Sequence, residues 1–116
     1  MTTSLKDDIK NLIIMVSQPD GLKPYTALRF AKSAKERGKN VKAVYFGEGI
    51  NCLKKGFSYD YEFKLKEALN MGIIIEACKL PMEIYGIKKE DLIEGVNILE
   101  EIMDYIFRRD TRIIWL

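Results

Sequence analysis

The run Asn11-Leu12-Ile13-Ile14-Met15-Val16 is apolar on every residue after the first, and Ser17-Gln18-Pro19-Asp20-Gly21, a dense cluster of turn formers, follows it at once. A strand with one face in water alternates apolar and polar residues; a continuous apolar run of this length reads as a strand buried on both faces, the usual case in a parallel sheet. Parallel strands need a crossover, and the next segment supplies one. From about Pro24 to Arg37 the chain has helical spacing, with Tyr25, Leu28, Phe30, Ala31 and Ala34 on a broad apolar side and Gly38 as C-terminal cap.

The pattern then repeats. Val41 to Phe46 reads as the second strand, broken off by Gly47-Glu48-Gly49, and Ile50 to Lys55 as a short helical turn. Phe57, Tyr59, Tyr61 and Phe63 alternate with polar residues in a strand period, but the helix formers from about Asp60 to Asn70 outweigh them, which predicts a helix with an irregular aromatic entry. Gly72-Ile73-Ile74-Ile75-Glu76-Ala77 is a third strand ending at Cys78. A short helical piece from about Pro81 to Gly86, a brief strand over Gly95 to Ile98, a helix reaching about Arg109 and a last strand over Arg112 to Trp115 complete the chain. In that last helix Leu99, Ile102, Met103, Ile106 and Phe107 share one face. Strands alternating with helices predict one α/β domain over residues 1–116, a three-layer sandwich with a mostly parallel sheet of about five strands and helices on both faces.

Composition narrows the function. Of 116 residues, 47% are hydrophobic and 31% charged, the balance of a globular protein. Basic and acidic residues number 19 and 17 and interleave, as in Lys88-Lys89-Glu90-Asp91, so the expectation is no direct nucleic-acid binding. Met1 to Asp8 lacks a charged leader with an apolar core, and no apolar run approaches the ~20 residues of a membrane span, which predicts a cytoplasmic protein with no membrane contact. Histidine is absent, which removes the commonest general base and zinc ligand; no metal and no cofactor are expected.

Cys78 is the residue with the clearest chemical position. It stands where a strand hands over to a helix, beside Lys79 and just before Pro81, and helix-start N–H groups with an adjacent cation favour a thiolate. Cysteine is equally a small apolar filler, and that reading stands beside the reactive one. Cys52 is a second thiol with no CxxC to pair it, readable as an auxiliary thiol or a buried turn residue. In a parallel sheet reactive groups collect at the C-terminal strand ends. That edge would gather Ser17 to Gly21, Gly47 to Gly49, and Cys78 with Lys79. Ser17, Asp20, Gly47, Glu48 and Gly49 are thus candidate supporting or ligand-binding residues; Gly47-Glu48-Gly49 alone is a weak anion cradle, since neither GxGxxG nor a GKT follows.

Taken in order, Tyr45-Phe46-Gly47-Glu48-Gly49, Gly72 to Cys78, Gly86-Ile87 and Asp110 to Trp115 make the chain resemble the DsrE/DsrF-like family of sulfur-relay proteins over nearly its whole length. The resemblance implies that Cys78 accepts sulfane sulfur as a persulfide and passes it to a partner thiol. It also implies a homo-oligomer, a dimer, trimer or hexamer, meeting sulfur donor and acceptor proteins. The alternative is a small-ligand-binding or oligomeric interaction module in which Cys78 is structural.

Overall fold

The computed structural model describes residues 8–116; the leader reading of the N-terminus falls largely on residues 1–7, outside the described part. Five strands form one sheet: β1 (Asn11–Val16), β2 (Asn40–Tyr45), β3 (Ile74–Cys78), β4 (Asn97–Leu99) and β5 (Thr111–Trp115). Every ladder is parallel and the strand order is β4-β3-β2-β1-β5. Between them lie α1 (Lys23–Glu36), a 3-10 segment (Gly47–Leu53), α2 (Tyr59–Asn70), α3 (Lys79–Tyr85), a 3-10 turn (Lys89–Asp91) and α4 (Met103–Ile106).

Strands β1 to β4 step in one direction, so right-handed crossovers put α1, the Gly47–Leu53 segment, α2 and α3 on the same face. There Ile14, Val16, Val41, Ala43, Tyr45, Ile75 and Ala77 meet Ala27, Leu28, Leu53, Leu65 and Met82 in the main core. The return from β4 to β5 runs the other way and must cross the opposite face. Ile13, Met15, Val44 and Leu99 are buried on that face, with Phe46, Cys78, Ile102, Tyr105 and Ile113 packed against them.

The predicted helix over Leu99 to about Arg109 is cut to four residues, and the return path explains it. Eleven residues separate Leu99 from Thr111. They must cross four strand spacings, about 19 Å, and travel six residues, about 20 Å, back down the strand direction, roughly 28 Å in all. A helix of that length reaches only about 16 Å. The chain therefore extends on both sides of one turn. Leu99 belongs to β4, Ile102 packs inward, and Met103 and Phe107 stay exposed, so the expected common apolar stripe is not formed.

Elsewhere the differences are small. α2 starts at Tyr59 because Ser58 caps it, its hydroxyl accepting from the Tyr61 N–H at 3.2 Å, and the Glu62–Lys66 pair closes at 3.2 Å along the exposed side. The aromatic entry divides: Tyr59 and Phe63 are exposed, whereas Tyr61 is buried. Its hydroxyl meets that of Tyr45 and donates to the Pro24 carbonyl at 3.1 Å, and its ring lies edge-to-face with Tyr25. α3 starts two residues before Pro81, directly after Cys78, and Gly86 ends it in the left-handed region at φ 67°.

Candidate active site

Side chains alternate across a strand, and this parity separates the predicted loops. All three leave the C-terminal edge of the sheet, yet only Cys78 turns to the thinly covered face, where it packs with the Ile13, Met15, Val44 and Leu99 cluster. A cavity of about 310 Å³ opens beside it. Met15, Phe46, Leu80, Pro81, Leu99, Ile102 and Trp115 form its apolar walls, Phe46 and Trp115 meet edge-to-face at 5.7 Å, and Glu100 and Glu101 stand at its polar side. The cavity thus runs from the end of β3 to the end of β5, where the strand order reverses and ligands usually bind in open α/β sheets.

Of the predicted site residues, only Cys78 and Lys79 line this cavity. Lys79 does not serve the thiol: its ammonium is hydrogen-bonded to the Glu100 carboxylate at 3.1 Å. Burial, and then the Glu76 carboxylate, push the Cys78 thiol above its ordinary value. The net shift is therefore upward, opposite to the thiolate expected from the helix start and Lys79: desolvation and Glu76 outweigh what a seven-residue α3 and an ion-paired lysine supply.

Ser17, Gly47 and Gly49 pack with one another outside the lining of this cavity. Ser17 donates its hydroxyl to the Leu116 carbonyl at 2.9 Å, tying the loop after β1 to the end of β5. Gly49 lies against the Val16 and Ser17 backbone, where a Cβ would sit 2.3 Å from the Val16 carbonyl oxygen. The Gly47-Glu48-Gly49 glycines answer a packing need: Gly47 takes φ 52° and Gly49 permits the close approach. Glu48 and Asp20 are exposed. Cys52 is sealed in the main core, its Sγ–H donating to the Pro19 carbonyl at 3.6 Å, and burial and then Asp20 push its thiol up to about 12. The two cysteines are both free and face opposite sides of the sheet.

Sequence reasoning passed over Glu76, the one charged residue inside the Ile73 to Ala77 run. It shares the Cys78 face, is 7% exposed, and lies 4.0 Å from the Lys42 ammonium, which in turn sits 3.7 Å from the centre of the Tyr105 ring. Burial raises the Glu76 carboxyl above 4.5, while Lys42 and then Tyr105 pull it back. Unfolded, the group ionises near 4.5; folded, it holds its proton to higher pH, so its cost is absent below 4.5 and grows as pH rises through the folded value. Glu76→Gln should therefore stabilise the fold at pH 7 by on the order of 1 kcal/mol, several degrees in Tm, with the gain shrinking below pH 4.5. A melting-temperature difference that is flat from pH 4 to pH 7.5 would contradict this.

The chain matches the family model described as DsrE/DsrF-like over residues 10–113. It belongs to the DsrE/DsrF-like family. Among curated relatives, this DsrE/DsrF-like chain is 28% identical over 114 residues to protein MK0008 of Methanopyrus kandleri, covering 93% of this chain and 94% of that one. It is 32% identical over 95 residues to MJ0989 of Methanocaldococcus jannaschii, covering 78% and 83%. Solved structures with the same fold include MTH1491 from Methanobacterium thermoautotrophicum, with TM-score 0.80, 18% identity and coverage of 91% and 98%. The ychN protein from E. coli has TM-score 0.75, 18% identity and coverage of 93% and 99%. Among the described residues no helix is long and apolar enough to cross a membrane.

Proposed function

We propose that this DsrE/DsrF-like chain is a sulfur-carrier or sulfurtransferase subunit that holds sulfane sulfur as a persulfide on Cys78 and passes it to a partner thiol. The observation that supports the reading best is the contrast between the two thiols. Cys78 opens into an apolar cavity at the switch end of the sheet, whereas Cys52 is closed off in the core. A persulfide needs an apolar wall on one side and an open side for an aligned donor or acceptor sulfur; the Met15, Phe46 and Trp115 surface offers the first and the cavity mouth the second. The partners are a donor and an acceptor protein in the cytoplasm, with no nucleic acid bound directly. Incubation with a sulfane-sulfur donor, followed by intact-protein and peptide mass spectrometry, tests this: one added sulfur on the Cys78 peptide is the expected result, and none, or sulfur on Cys52, would contradict it.

The same reading includes a homo-oligomer. Ile74, Trp115 and Phe107 are exposed around the thinly covered face, with Tyr59 and Phe63 exposed on α2, and large apolar groups gathered on one surface favour a contact between copies. Tyr61 cannot contribute to that contact, because it is in the core. Light scattering should return a multiple of the chain mass, and Phe107→Asp should lower it if the thin face is the contact. A monomer mass at every concentration would sink the idea.

A further inference from the structure

A buried carboxylate oxygen that accepts no hydrogen bond costs stability, and Glu76 carries one, met among the described residues only by the Lys42 ammonium at 4.0 Å. Its side chain is 9% exposed, and its Oε1 accepts no hydrogen bond among the described residues. Packing does not call for an acid here, since its register neighbours are Val44 and Asn97. The groups facing it are few: Lys42 from β2, Tyr105 from α4, and Cys78 on its own strand. Cys78 lies two residues further along on the same face, about 7 Å of backbone away, near enough for the Glu76 charge to act on its thiol. The chain has no histidine, and Lys79 is held by Glu100.

We propose that Glu76 takes the proton from Cys78 when sulfur is loaded and returns it to the departing donor thiolate. The proposal rests on Cys78 being the carrier. The Glu76 carboxylate accepts the Sγ–H proton, and the thiolate electron pair attacks the outer sulfur of a donor persulfide, R–S–SH. A new S–S bond forms on Cys78 while the donor S–S bond breaks, and the bonding pair leaves as R–S⁻. That thiolate takes the proton now held on Glu76. Cys78–SH and R–S–SH become Cys78–S–SH and R–SH, with no other oxidant or reductant. The pair carries one negative charge before and after the first proton transfer. Two adjacent anions in this half-buried place never arise, and Lys42 holds the single charge.

The test sets two reactions of the same thiol against each other. With glutathione persulfide as the sulfur source, Glu76→Gln should slow loading of Cys78 by roughly 100-fold at pH 7. Alkylation of Cys78 by iodoacetamide should instead become faster, because removing a negative neighbour lets the thiolate form at lower pH. Both reactions accelerating would make Glu76 an electrostatic neighbour only and overturn the proposal, as would two unchanged rates or two slowed ones. Glu76→Asp, which keeps the carboxylate, should recover part of the loading rate. Lys42→Met provides a second measurement with Glu76 in place. It should move the acid limb of the loading–pH profile upward, because Lys42 is what lowers the Glu76 carboxyl, and an unmoved limb overturns the assignment. If the parent protein fails to load at Cys78, the carrier reading fails and this one with it. If the parent loads and Glu76→Gln loads as fast, only the role of Glu76 falls.

Discussion

Gly49→Ala should remove about 3 kcal/mol or more of folding stability, a large share of what a domain of this size holds. The new Cβ would stand 2.3 Å from the Val16 carbonyl oxygen, 2.9 Å from its carbon and 3.1 Å from the Ser17 carbonyl carbon. All three are backbone atoms at or just beyond the end of β1, an interior strand of the sheet. The Val16 oxygen also accepts the Phe46 N–H at 3.0 Å, so it cannot retreat without breaking that bond. Relief requires the Gly47–Leu53 segment to lift away, which would open the core around Ile50, Cys52 and Leu53. Gly38→Ala is the control: its φ is 81°, nothing lies within 4 Å, and only the left-handed backbone resists a side chain, about 1 kcal/mol. Urea unfolding of the two variants measures the contrast, and equal midpoints would show that the sheet edge has room.

Cys78→Ser should lose all sulfur loading and keep its fold. The thiol is half-buried against the cavity, so a hydroxyl there costs about 1 kcal/mol and no backbone contact depends on sulfur. In the parent, iodoacetamide at neutral pH should label Cys78 at least about tenfold faster than Cys52. Both thiols are pushed up by burial, but Cys52 reaches about 12 and is 1% exposed. The preference therefore comes from access and a smaller desolvation cost, not from Lys79. Loss of the folded circular-dichroism spectrum in Cys78→Ser would return this residue to the role of a core filler, and equal labelling of the two cysteines would remove the basis for singling it out.

Signals confined to neighbouring residues were legible in the sequence. The apolar run Asn11 to Val16, the glycines closing α1 and α3, and the helix formers ahead of Asn70 act through local backbone preference and periodicity, so the strands and most helices lie where spacing puts them. Cys78 at the end of a strand is equally local. The interval from Leu99 to Arg109 was misleading for a physical reason: its apolar spacing suits a helix, but the distance it must cross depends on β5 pairing with β1 at the far edge, a contact about 100 residues away in sequence.

By itself, then, the sequence determined an α/β chain with parallel strands and a cysteine at the C-terminal end of the third, because propensity, turn chemistry and side-chain alternation operate over a few residues. Only the tertiary structure decided which face each loop served. Parity within the strands, combined with the reversed return from β4 to β5, set Cys78 and Glu76 on the thinly covered face and sent Cys52, Gly49 and Tyr61 into the main core. It also turned Lys79 toward Glu100 and placed Lys42 beside Glu76, pairings between strands and loops far apart in the chain. Whether a thiol beside a lysine is activated or desolvated depends on those long-range neighbours, and no spacing of residues encodes them.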